Sequence, residues 1–574
     1  MEFRLWAPNA EHVRVVIDGH EHAMTAEQHG WWRADVPAQA GSAYQFRLDD
    51  GEPLPDPRSP HQPDGVTGPS QLIDHAAFPW TDSRWQAPPL AGGVIYELHV
   101  GAFTPAGTFD AAVERLDHLT DLGVTHVELM PLAQFSGRRN WGYDGVYPYA
   151  PHNAYGGPLA LKRLVDACHA RGLAVLLDVV YNHLGPEGNR LSRFGPYFTD
   201  RHKTVWGDTA NLENPGSDHV RRFFIDNALM WIRDYHLDGL RVDAVHAFAD
   251  NSARPFLEQL ADQVHALAGP LNRHVLIIAE SDLNDPRVVQ CPDTGGCGFD
   301  AQWADDLHHA LHALVTGERT GYYADFGRLA DLAKALQNPF VYDGRYSAHR
   351  GRTHGRPPGS LSGHRFVVCL QNHDQIGNRD QGRRISHLAD LGRVKAAAAL
   401  ILTSPYVPLI FQGEEWAATT PFAYFCDFQD PDLARDVRHG RKDEFASFGW
   451  SPDAVPDPQA DQTFQNSKLH WDEPAREPHA SMLQWYRQLI RLRRATPSLS
   501  DGRRDNVRAR FDEDQRWLIM QRGPIAVACN FDQTTQQLSL DGHSQPLLQS
   551  DPAIRIDDGL VRLPPASVAV LRRS

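Results

Sequence analysis

The chain has 574 residues, of which 41% are hydrophobic and 22% charged, and its formal net charge at pH 7 is −16. These values are typical of a globular protein, the length predicts two or three domains, and the acidic balance without a basic cluster argues against nucleic-acid binding. No uninterrupted apolar span is long enough to cross a bilayer, so we do not expect a membrane protein.

The cysteines and the first residues favour a cytoplasmic protein. Residues 1–6 lack the apolar core of a signal peptide. The six cysteines are scattered, several of them in strand-like or helix-like segments, and we expect free buried thiols. Cys291 and Cys297 do not have the spacing of a known zinc pattern, so we expect no metal there.

The first 90 residues predict an all-β domain, a small sandwich of short strands. Turn signals follow two of the strands, at Asp18-Gly19 and Asp50-Gly51. Trp31 and Trp32 could stack on sugar rings, but aromatic side chains are more often buried, and we expect both in the core. A proline-rich stretch from residue 53 to 89 is expected to serve as linker and cap. The alternating segments are 2–6, 13–17 and 44–48.

From residue 91 to about 490, strand-like apolar runs alternate with helix-like stretches. Near-continuous apolar strands that alternate with helices form parallel sheets covered on both faces. Eight such units predict an α/β fold, a (β/α)₈ TIM barrel. Long loops at 185–215, 338–363 and 417–474 are expected to build a binding cleft. The eight runs are 94–98, 124–130, 173–180, 239–245, 274–279, 299–303, 366–370 and 407–411.

Beyond the barrel the sequence predicts a final helix and a small C-terminal β domain, residues 491–574. The helix covers 480–494, where apolar residues recur at helical spacing. The strands are expected at 517–520, 525–531 and 569–571.

The stretch 237–246 has the pattern of a short strand with an arginine and an aspartate at its carboxyl end. A helix precedes it from Asp218 to Tyr235, with Ser217 and Asp218 as candidate N-cap residues. Arg241 and Asp243 then alternate with apolar residues. Such a pair can simply close a strand, but catalytic groups of barrel enzymes also lie at this place.

Polar residues follow three other predicted strands in the same way. Because the strand ends of a parallel barrel converge on one mouth, these carboxylates and histidines should meet. Isolated ionised groups are costly to bury, so their number at one rim indicates a site rather than packing. The residues are Asp178, Asn182, His183, Arg241, Asp243, Glu280, Asn372, His373 and Asp374.

These four segments resemble the signature regions of the α-amylase superfamily, glycoside hydrolase family 13. The resemblance implies that Asp243 is the nucleophile and that Glu280 is the general acid and base. It implies that Asp374 holds the hydroxyls of the sugar at the cleavage point. It extends over the barrel and both flanking β domains.

Physical chemistry agrees with these implied roles. Retention needs two carboxyl groups about 5 Å apart, one ionised and one protonated. Arg241 can keep Asp243 ionised, and a buried Glu280 near two aspartates should have a raised pKa. The resemblance implies that His183 and His373 bind the same sugar and that Tyr143 stacks under it. Tyr143 could instead be a packed loop aromatic.

The sequence gives no reason to expect a metal or another cofactor. Many α-amylases have a calcium-binding histidine four places after the nucleophile, where this chain has Ala247. A calcium site of that type is therefore doubtful. His308, His309 and His312 lack a nearby set of carboxylate ligands, and we interpret them as surface or cleft histidines.

Within the superfamily, the stretches 101–104, 243–247, 300–306 and 372–378 resemble the maltooligosyltrehalose trehalohydrolases. The resemblance implies hydrolysis of the α-1,4 bond next to a terminal trehalose, with maltooligosyltrehalose and related α-glucans as partners. It leaves the oligomeric state open. The alternatives are a glycogen branching enzyme and a glucan-binding protein with an inactive barrel. Residues 374–378, Asp-Gln-Ile-Gly-Asn, favour the hydrolase.

Selectivity for trehalose should come from polar groups on the leaving-group side of the cleft, past Glu280. Fixed polar partners that stay unpaired with the wrong sugar are costly, and this gives discrimination. Asp305 and Asp306 could instead cap the following helix, 308–315. The candidates are His246, Gln302, Trp303, Asp305, Asp306 and Gln375.

Overall fold

The computed structural model of this chain describes residues 1–204, 207–446, 450–451, 454–540, 542–557 and 559–573. Its first part is a β-sandwich of two sheets. Asp18 and Gly19 join two strands with φ of 48° and 85°, the left-handed conformation that a two-residue hairpin turn requires. One sheet contains Glu2–Trp6, Thr25–Ala26 and Trp31–Asp35; the other contains Val13–Ile17, His20–Ala23, Ala43–Leu48, Pro53–Leu54 and Ser70–Gln71.

The two tryptophans of the sandwich are placed differently. Trp32 is buried and its indole N–H donates to the carbonyl of Ala7, as expected for a core residue. Trp31 is partly buried at the boundary with the barrel, where its indole N–H donates to His219 Nδ1 at 3.2 Å. Both side chains are therefore engaged in packing within the protein.

The expected barrel is confirmed: eight parallel strands, β1 to β8 in chain order, form a closed barrel in which β8 pairs with β1. All eight apolar runs supply a strand. The weakest run, 299–303, gives the shortest strand, with three residues. The strands are Ile95–Leu98, His126–Leu129, Ala174–Val179, Gly239–Val242, Leu276–Ala279, Ala301–Trp303, Phe366–Cys369 and Val407–Phe411.

The interior of the barrel has a polar half and an apolar half. Successive side chains of a strand point to opposite faces, so alternate residues reach the interior. On β5 to β8 these residues are apolar and form one buried cluster that includes Ile278, Trp303, Cys369 and Leu409. Ile95 of β1 and Leu176 of β3 also belong to this cluster. Closer to their carboxyl ends, β1 to β4 carry charged and buried residues: Glu97, Glu128, Asp178 and Arg241.

Helices cover the outside of the barrel. The helix before β4 begins at Ser217, and its N-cap is Gly216, which has φ of 86° and forms no side-chain cap. The expected capping by Ser217 or Asp218 is therefore wrong, because the chain enters this helix through a left-handed turn. The longer helices are Gly157–His169, Ser217–Asp234, Phe256–Leu271, Asp306–Thr316, Leu329–Gln337, Leu391–Thr403, Pro431–Ala446 and His479–Ala495.

The linker between the sandwich and the barrel is fastened to the end of the barrel opposite the strand carboxyl ends. Asp82 Oδ2 lies 2.8 Å from His169 Nδ1, and the other nitrogen of His169 lies 2.9 Å from Asp238. Trp85 stacks on His169 with ring centroids 4.5 Å apart and donates to Asp238 at 2.8 Å. His236 also reaches Asp82 at 2.8 Å.

The C-terminal β domain is confirmed, with a five-stranded and a three-stranded sheet. Four of the six cysteines are buried and all six are free, whereas Cys291 is exposed. In the part of the chain that the structure describes, no helix is both long and apolar enough to span a membrane. The C-terminal strands are Val507–Asp512, Trp517–Arg522, Ile525–Asn530, Gln536–Ser539, Ser544–Gln549, Arg555–Asp557, Leu560–Leu563 and Ser567–Arg573.

Candidate active site

The carboxyl ends of β3 and β4 meet at the guanidinium of Arg241. This arginine is fully buried, and its Nη1 donates to Asp243 Oδ1 and to Asp178 Oδ2, each at 2.8 Å. Asn182 donates a further hydrogen bond of 3.3 Å to Asp243. The buried positive charge of Arg241 is thus shared by the carboxylates of Asp178 and Asp243. Burial raises the pKa of Asp178 to about 7, although the charge of Arg241 opposes the rise.

Glu280 follows β5 and reaches the same guanidinium. Its Oε2 lies 3.5 Å from Arg241 Nη2 and accepts a hydrogen bond of 2.6 Å from the backbone N–H of Ala244. Ala244 has φ of 42°, a left-handed conformation that is uncommon for alanine and aims this N–H at Glu280. The Glu280 side chain is 19% exposed, so the burial that we expected is only partial.

Asp374 follows β7 and lies in the first turn of the helix His373–Gly377. Asn372 is the N-cap of this helix and accepts a hydrogen bond of 2.9 Å from the backbone N–H of Asp374. The Asp374 side chain is 39% exposed, and its Oδ2 lies 3.6 Å from His373 Nε2. The three proposed catalytic carboxylates, Asp243, Glu280 and Asp374, therefore lie around Arg241 and His373.

Tyr143 lies in the loop between β2 and β3 and reaches into the site. Its hydroxyl donates to Asp178 Oδ2 at 2.6 Å and lies 2.7 Å from His373 Nε2, while its ring stacks on His373. Gly142 before it has φ of 106°, and a Cβ there would lie 2.2 Å from the carbonyl oxygen of Pro131. Only glycine fits this turn.

His183 lies beside Tyr143 and is almost fully buried. Its Nε2 lies 3.1 Å from the carbonyl oxygen of Tyr143, and its Nδ1 lies 2.9 Å from Asn182 Oδ1. Burial lowers the pKa of His183, which favours the neutral ring. The structure thus brings His183 and Tyr143 together next to Asp178 and Asp243.

The buried face of His373 contacts a residue that the sequence interpretation missed. Glu97 Oε1 on β1 lies 2.5 Å from His373 Nδ1. Burial lowers the pKa of His373, but the charges of Asp374 and Glu97 and the hydrogen bond with Glu97 outweigh it and raise this pKa to about 9. A glutamate within an otherwise apolar strand run was the available signal. The hydrogen bond from the backbone N–H of Ala244 to Glu280 was also missed, and no sequence pattern indicates it.

Two of the expected leaving-group residues lie on opposite faces of β6. Trp303 points into the barrel interior, is 4% exposed and packs against Arg241. Gln302 is 1% exposed and, as its neighbour in the strand, points away from the interior toward the helices. The structure does not bring Gln302 to the cleft, because a one-residue step reverses the direction of a strand side chain.

Asp305 and Asp306 also differ in burial and in the groups that they contact. Asp306 is buried and accepts hydrogen bonds from the backbone N–H groups of Val341 and Tyr342 and from Asn284, which ties down the loop after the next helix. Asp305 is partly buried, and burial raises its pKa to about 7. His309 opposes this rise, and the charges of Glu280 and Asp374 add to it. Of the two carboxylates, Asp305 is therefore the one whose pKa responds to the charges of Glu280 and Asp374. Neither side chain caps the helix Asp306–Thr316.

The remaining two candidates have contrasting positions. His246 is exposed, and its Nδ1 lies 3.4 Å from the backbone nitrogen of Asp282, two residues past Glu280. Gln375 is buried, and its Oε1 accepts a hydrogen bond of 2.7 Å from the backbone N–H of Asn372. Gln375 thus completes the capping box of its own helix. This places His246 on the rim and gives Gln375 a structural contact.

No group of three or more His, Cys, Asp and Glu side chains within the described residues could hold a metal ion. His308 and His312 are buried and engaged elsewhere: His308 Nδ1 lies 2.6 Å from the carbonyl oxygen of Leu370, and His312 Nε2 lies 2.6 Å from Glu318. His309 is partly buried next to Asp305. That the site works without a metal stays a prediction.

Three family models match consecutive parts of the chain. "Carbohydrate-binding module 48 (Isoamylase N-terminal domain)" matches residues 1–60, and "Alpha amylase, catalytic domain" matches residues 73–203. "Domain of unknown function (DUF3459)" matches residues 502–570. They fall on the sandwich, the linker with the first three strands of the barrel, and the C-terminal β domain.

Similar proteins cover almost the whole chain. A malto-oligosyltrehalose trehalohydrolase from Rhizobium sp. (strain M-11) is 48% identical over 99% of this chain and 97% of its own length. The crystal structure of a protein from Salmonella typhimurium is 39% identical, with a TM-score of 0.91, and the match covers 100% of this chain and 97% of that chain. A 1,4-alpha-glucan branching enzyme from Corynebacterium jeikeium is more distant, at 28% identity over 73% of this chain and 61% of its own length.

Proposed function

The chain belongs to the malto-oligosyltrehalose trehalohydrolase family of the α-amylase superfamily, and we propose that it hydrolyses the α-1,4 bond next to the terminal trehalose of maltooligosyltrehalose. The products are trehalose and a shortened maltooligosaccharide. The observation that carries the proposal is the placement of Asp243 and Glu280 on the single guanidinium of Arg241. The branching enzyme, our alternative from the sequence, is disfavoured because that relative is much more distant.

We propose a retaining mechanism. The ionised Asp243 attacks the anomeric carbon and forms a covalent glycosyl-enzyme intermediate, while Glu280 gives its proton to the departing trehalose oxygen. Glu280 then takes a proton from water, and the resulting hydroxide releases the glycosyl group from Asp243 with restored anomeric configuration. Arg241 supports both steps, because it stabilises the Asp243 carboxylate before attack and after release.

The sugar at the cleavage point is bound by Asp374, His373, His183 and Tyr143 in this proposal. Asp374 projects from the end of β7 with an exposed carboxylate that can accept sugar hydroxyls. Trp303 supports Arg241 from below, and Asp305 and His246 are the polar candidates for reading trehalose. Gln302 lies outside this set because its side chain is buried on the outer face of its strand. Asp306 and Gln375 lie outside it because their side chains are buried in structural hydrogen bonds.

The domain limits in this proposal are 1–90 for the sandwich with its linker, 91–490 for the catalytic barrel and 491–574 for the C-terminal β domain. We place the protein in the cytoplasm, which its free, mostly buried cysteines support, since structural disulfides are rare there.

An assay that follows trehalose and reducing ends separately tests the function. We expect free trehalose from maltooligosyltrehalose, with α-configured reducing ends in the first turnover products when water attacks the intermediate. Transfer of chains to a glucan acceptor without release of trehalose would contradict hydrolysis and support a branching activity. Binding without any product would identify an inactive barrel.

A further inference from the structure

A continuous chain of hydrogen bonds crosses the polar half of the barrel, beneath the proposed catalytic groups. It begins on β1, passes through the ring of His373 after β7 and the hydroxyl of Tyr143, and ends at the nucleophile after β4. Each contact is between 2.5 and 2.8 Å. Its members in order are Glu97, His373, Tyr143, Asp178, Arg241 and Asp243.

The positions of the protons in this chain define the charge of His373. The hydroxyl of Tyr143 has one proton and donates it to Asp178 Oδ2. The oxygen of Tyr143 must therefore accept a hydrogen bond from His373 Nε2. At the other side of the ring, Nδ1 faces the carboxylate of Glu97 and must donate as well. With a proton on each nitrogen, His373 is an imidazolium.

A buried imidazolium needs a counter-charge, because burial alone would remove its proton. Asp374 lies on its own helix and is partly exposed to solvent. Among the groups on other elements, the positive charge of Arg241 on β4 lowers the pKa of His373. Burial lowers the pKa of His99, which follows β1, to about 4, so His99 is neutral and supplies no counter-charge. Glu97 is the buried acidic group in direct contact with the ring, and it also accepts a hydrogen bond of 3.3 Å from the backbone N–H of His373.

The neighbouring strand offers a natural comparison for Glu97. Glu128 on β2 is in register with Glu97, is equally buried and also lies in the polar half of the interior. Neither of its carboxyl oxygens has a hydrogen-bond partner among the described residues. Burial and the charge of Glu97 raise the pKa of Glu128 well above its ordinary value. Of this pair, Glu97 has the hydrogen-bond donors that stabilise a carboxylate, whereas the raised pKa of Glu128 favours its neutral form.

We propose that Glu97 is a positioning residue for the reaction: it holds His373 as a doubly protonated ring, and that ring orients Tyr143 and, through Asp178, the Arg241 that supports the nucleophile. If His373 lost the proton on Nε2, this nitrogen would become a hydrogen-bond acceptor facing the Tyr143 hydroxyl instead of a donor to it. Its hydroxyl proton could then turn from Asp178 to His373, which would disconnect the chain at its centre. The inference rests on the proposed hydrolysis, in which His373 and Asp243 bind the same sugar.

The test compares Glu97→Gln with Glu128→Gln, two identical substitutions at positions that are paired across the neighbouring strands β1 and β2. The kcat and KM for maltooligosyltrehalose are measured from pH 5 to 10, with the melting temperature as a check of folding. In the wild type, kcat should fall as the pH rises through the pKa of His373, about 9. In Glu97→Gln this alkaline limb should move down by about one pH unit or more, as expected when an opposite charge in contact is removed. In Glu128→Gln the limb should stay in place.

Several results would overturn the proposal. One is a Glu97→Gln enzyme that has the wild-type alkaline limb, whether or not its kcat is lower, because a merely structural role would leave the pH profile unmoved. Another is an equal shift in both variants. If Glu97→Gln does not fold, His373→Asn decides: the proposal requires that its alkaline limb disappears, and a retained limb contradicts it. A wild type that releases no trehalose would instead contradict the proposed function.

Discussion

The guanidinium carbon of Arg241 lies 4.3 Å from the centre of the Trp303 ring and over its face. Arg241 belongs to the polar half of the barrel interior and Trp303 to the apolar half, so this contact joins the two. An arginine over an indole face is stabilised by a cation–π interaction, and the interaction is stronger where water is excluded. Trp303 therefore helps to hold Arg241 in place, and Arg241 in turn binds the carboxylate of Asp243.

From this contact we predict that Trp303→Leu lowers kcat/KM by about tenfold, the loss expected for a desolvated cation–π pair of about 1–2 kcal/mol. The loss should be similar for maltooligosyltrehalose and for a plain maltooligosaccharide, since both use the same nucleophile. Cys369→Ala, a truncation of another member of the same apolar cluster, is the control. A loss confined to maltooligosyltrehalose would mean that Trp303 reads trehalose directly.

Removing either Asp243 or Glu280, the two proposed catalytic carboxylates, should abolish most turnover without unfolding the protein. We expect Asp243→Asn and Glu280→Gln each to lower kcat by a factor of at least about 10², the typical cost of losing a nucleophile or a general acid. Initial rates of trehalose release and circular dichroism measure the two effects. Asp262→Asn, at a carboxylate that is 54% exposed on a barrel helix, should retain wild-type rates. Near wild-type turnover in either active-site variant would refute its assignment.

Asp305 and Asp306 should respond differently to the same substitution. Asp305→Asn is expected to lower kcat/KM for maltooligosyltrehalose about tenfold more than for a maltooligosaccharide, because a polar group that reads trehalose discriminates between leaving groups. Asp306→Asn should mainly lower the melting temperature, since it disturbs three buried hydrogen bonds, two of them to the loop that carries Val341. Equal losses on both substrates in Asp305→Asn would move the search for specificity to the long loops.

The ion pairs of the linker should make stability depend on pH. Burial lowers the pKa of His169, but the hydrogen bonds and charges of Asp238 and Asp82 outweigh it and raise this pKa above its ordinary value. A raised pKa of this kind stabilises the folded state fully below the unfolded pKa of about 6.5, and the stabilisation is lost as the pH rises through the folded value. His169→Gln should therefore lower the melting temperature more at pH 6 than at pH 9.

The control for this experiment is His20→Gln, at an exposed strand residue of the sandwich. It should have little effect at either pH. Thermal unfolding monitored by circular dichroism gives the difference in melting temperature between each of the two variants and the wild type at both pH values. A destabilisation by His169→Gln that is the same at pH 6 and pH 9 would show that the ring contributes through packing against Trp85 rather than through its charge.

The sequence by itself determined the architecture and the chemical composition of the site. Apolar runs with helical stretches between them predict eight strands, because strands buried on both faces are largely apolar. Polar groups at the ends of such runs stand out for the same reason. The motifs around Asp243, Glu280 and Asp374 could therefore be identified from local patterns and from the resemblance that they carry.

Only the tertiary structure decided which side chains meet. Trp303 and Gln302 are adjacent in sequence, yet the alternation of strand side chains sends one to Arg241 and the other to the helices. Glu97 and His373 are 276 positions apart, and they touch because the barrel closes β1 against strands from the far end of the domain. A local pattern contains no information on a partner so distant, because barrel closure is a property of all eight strands together.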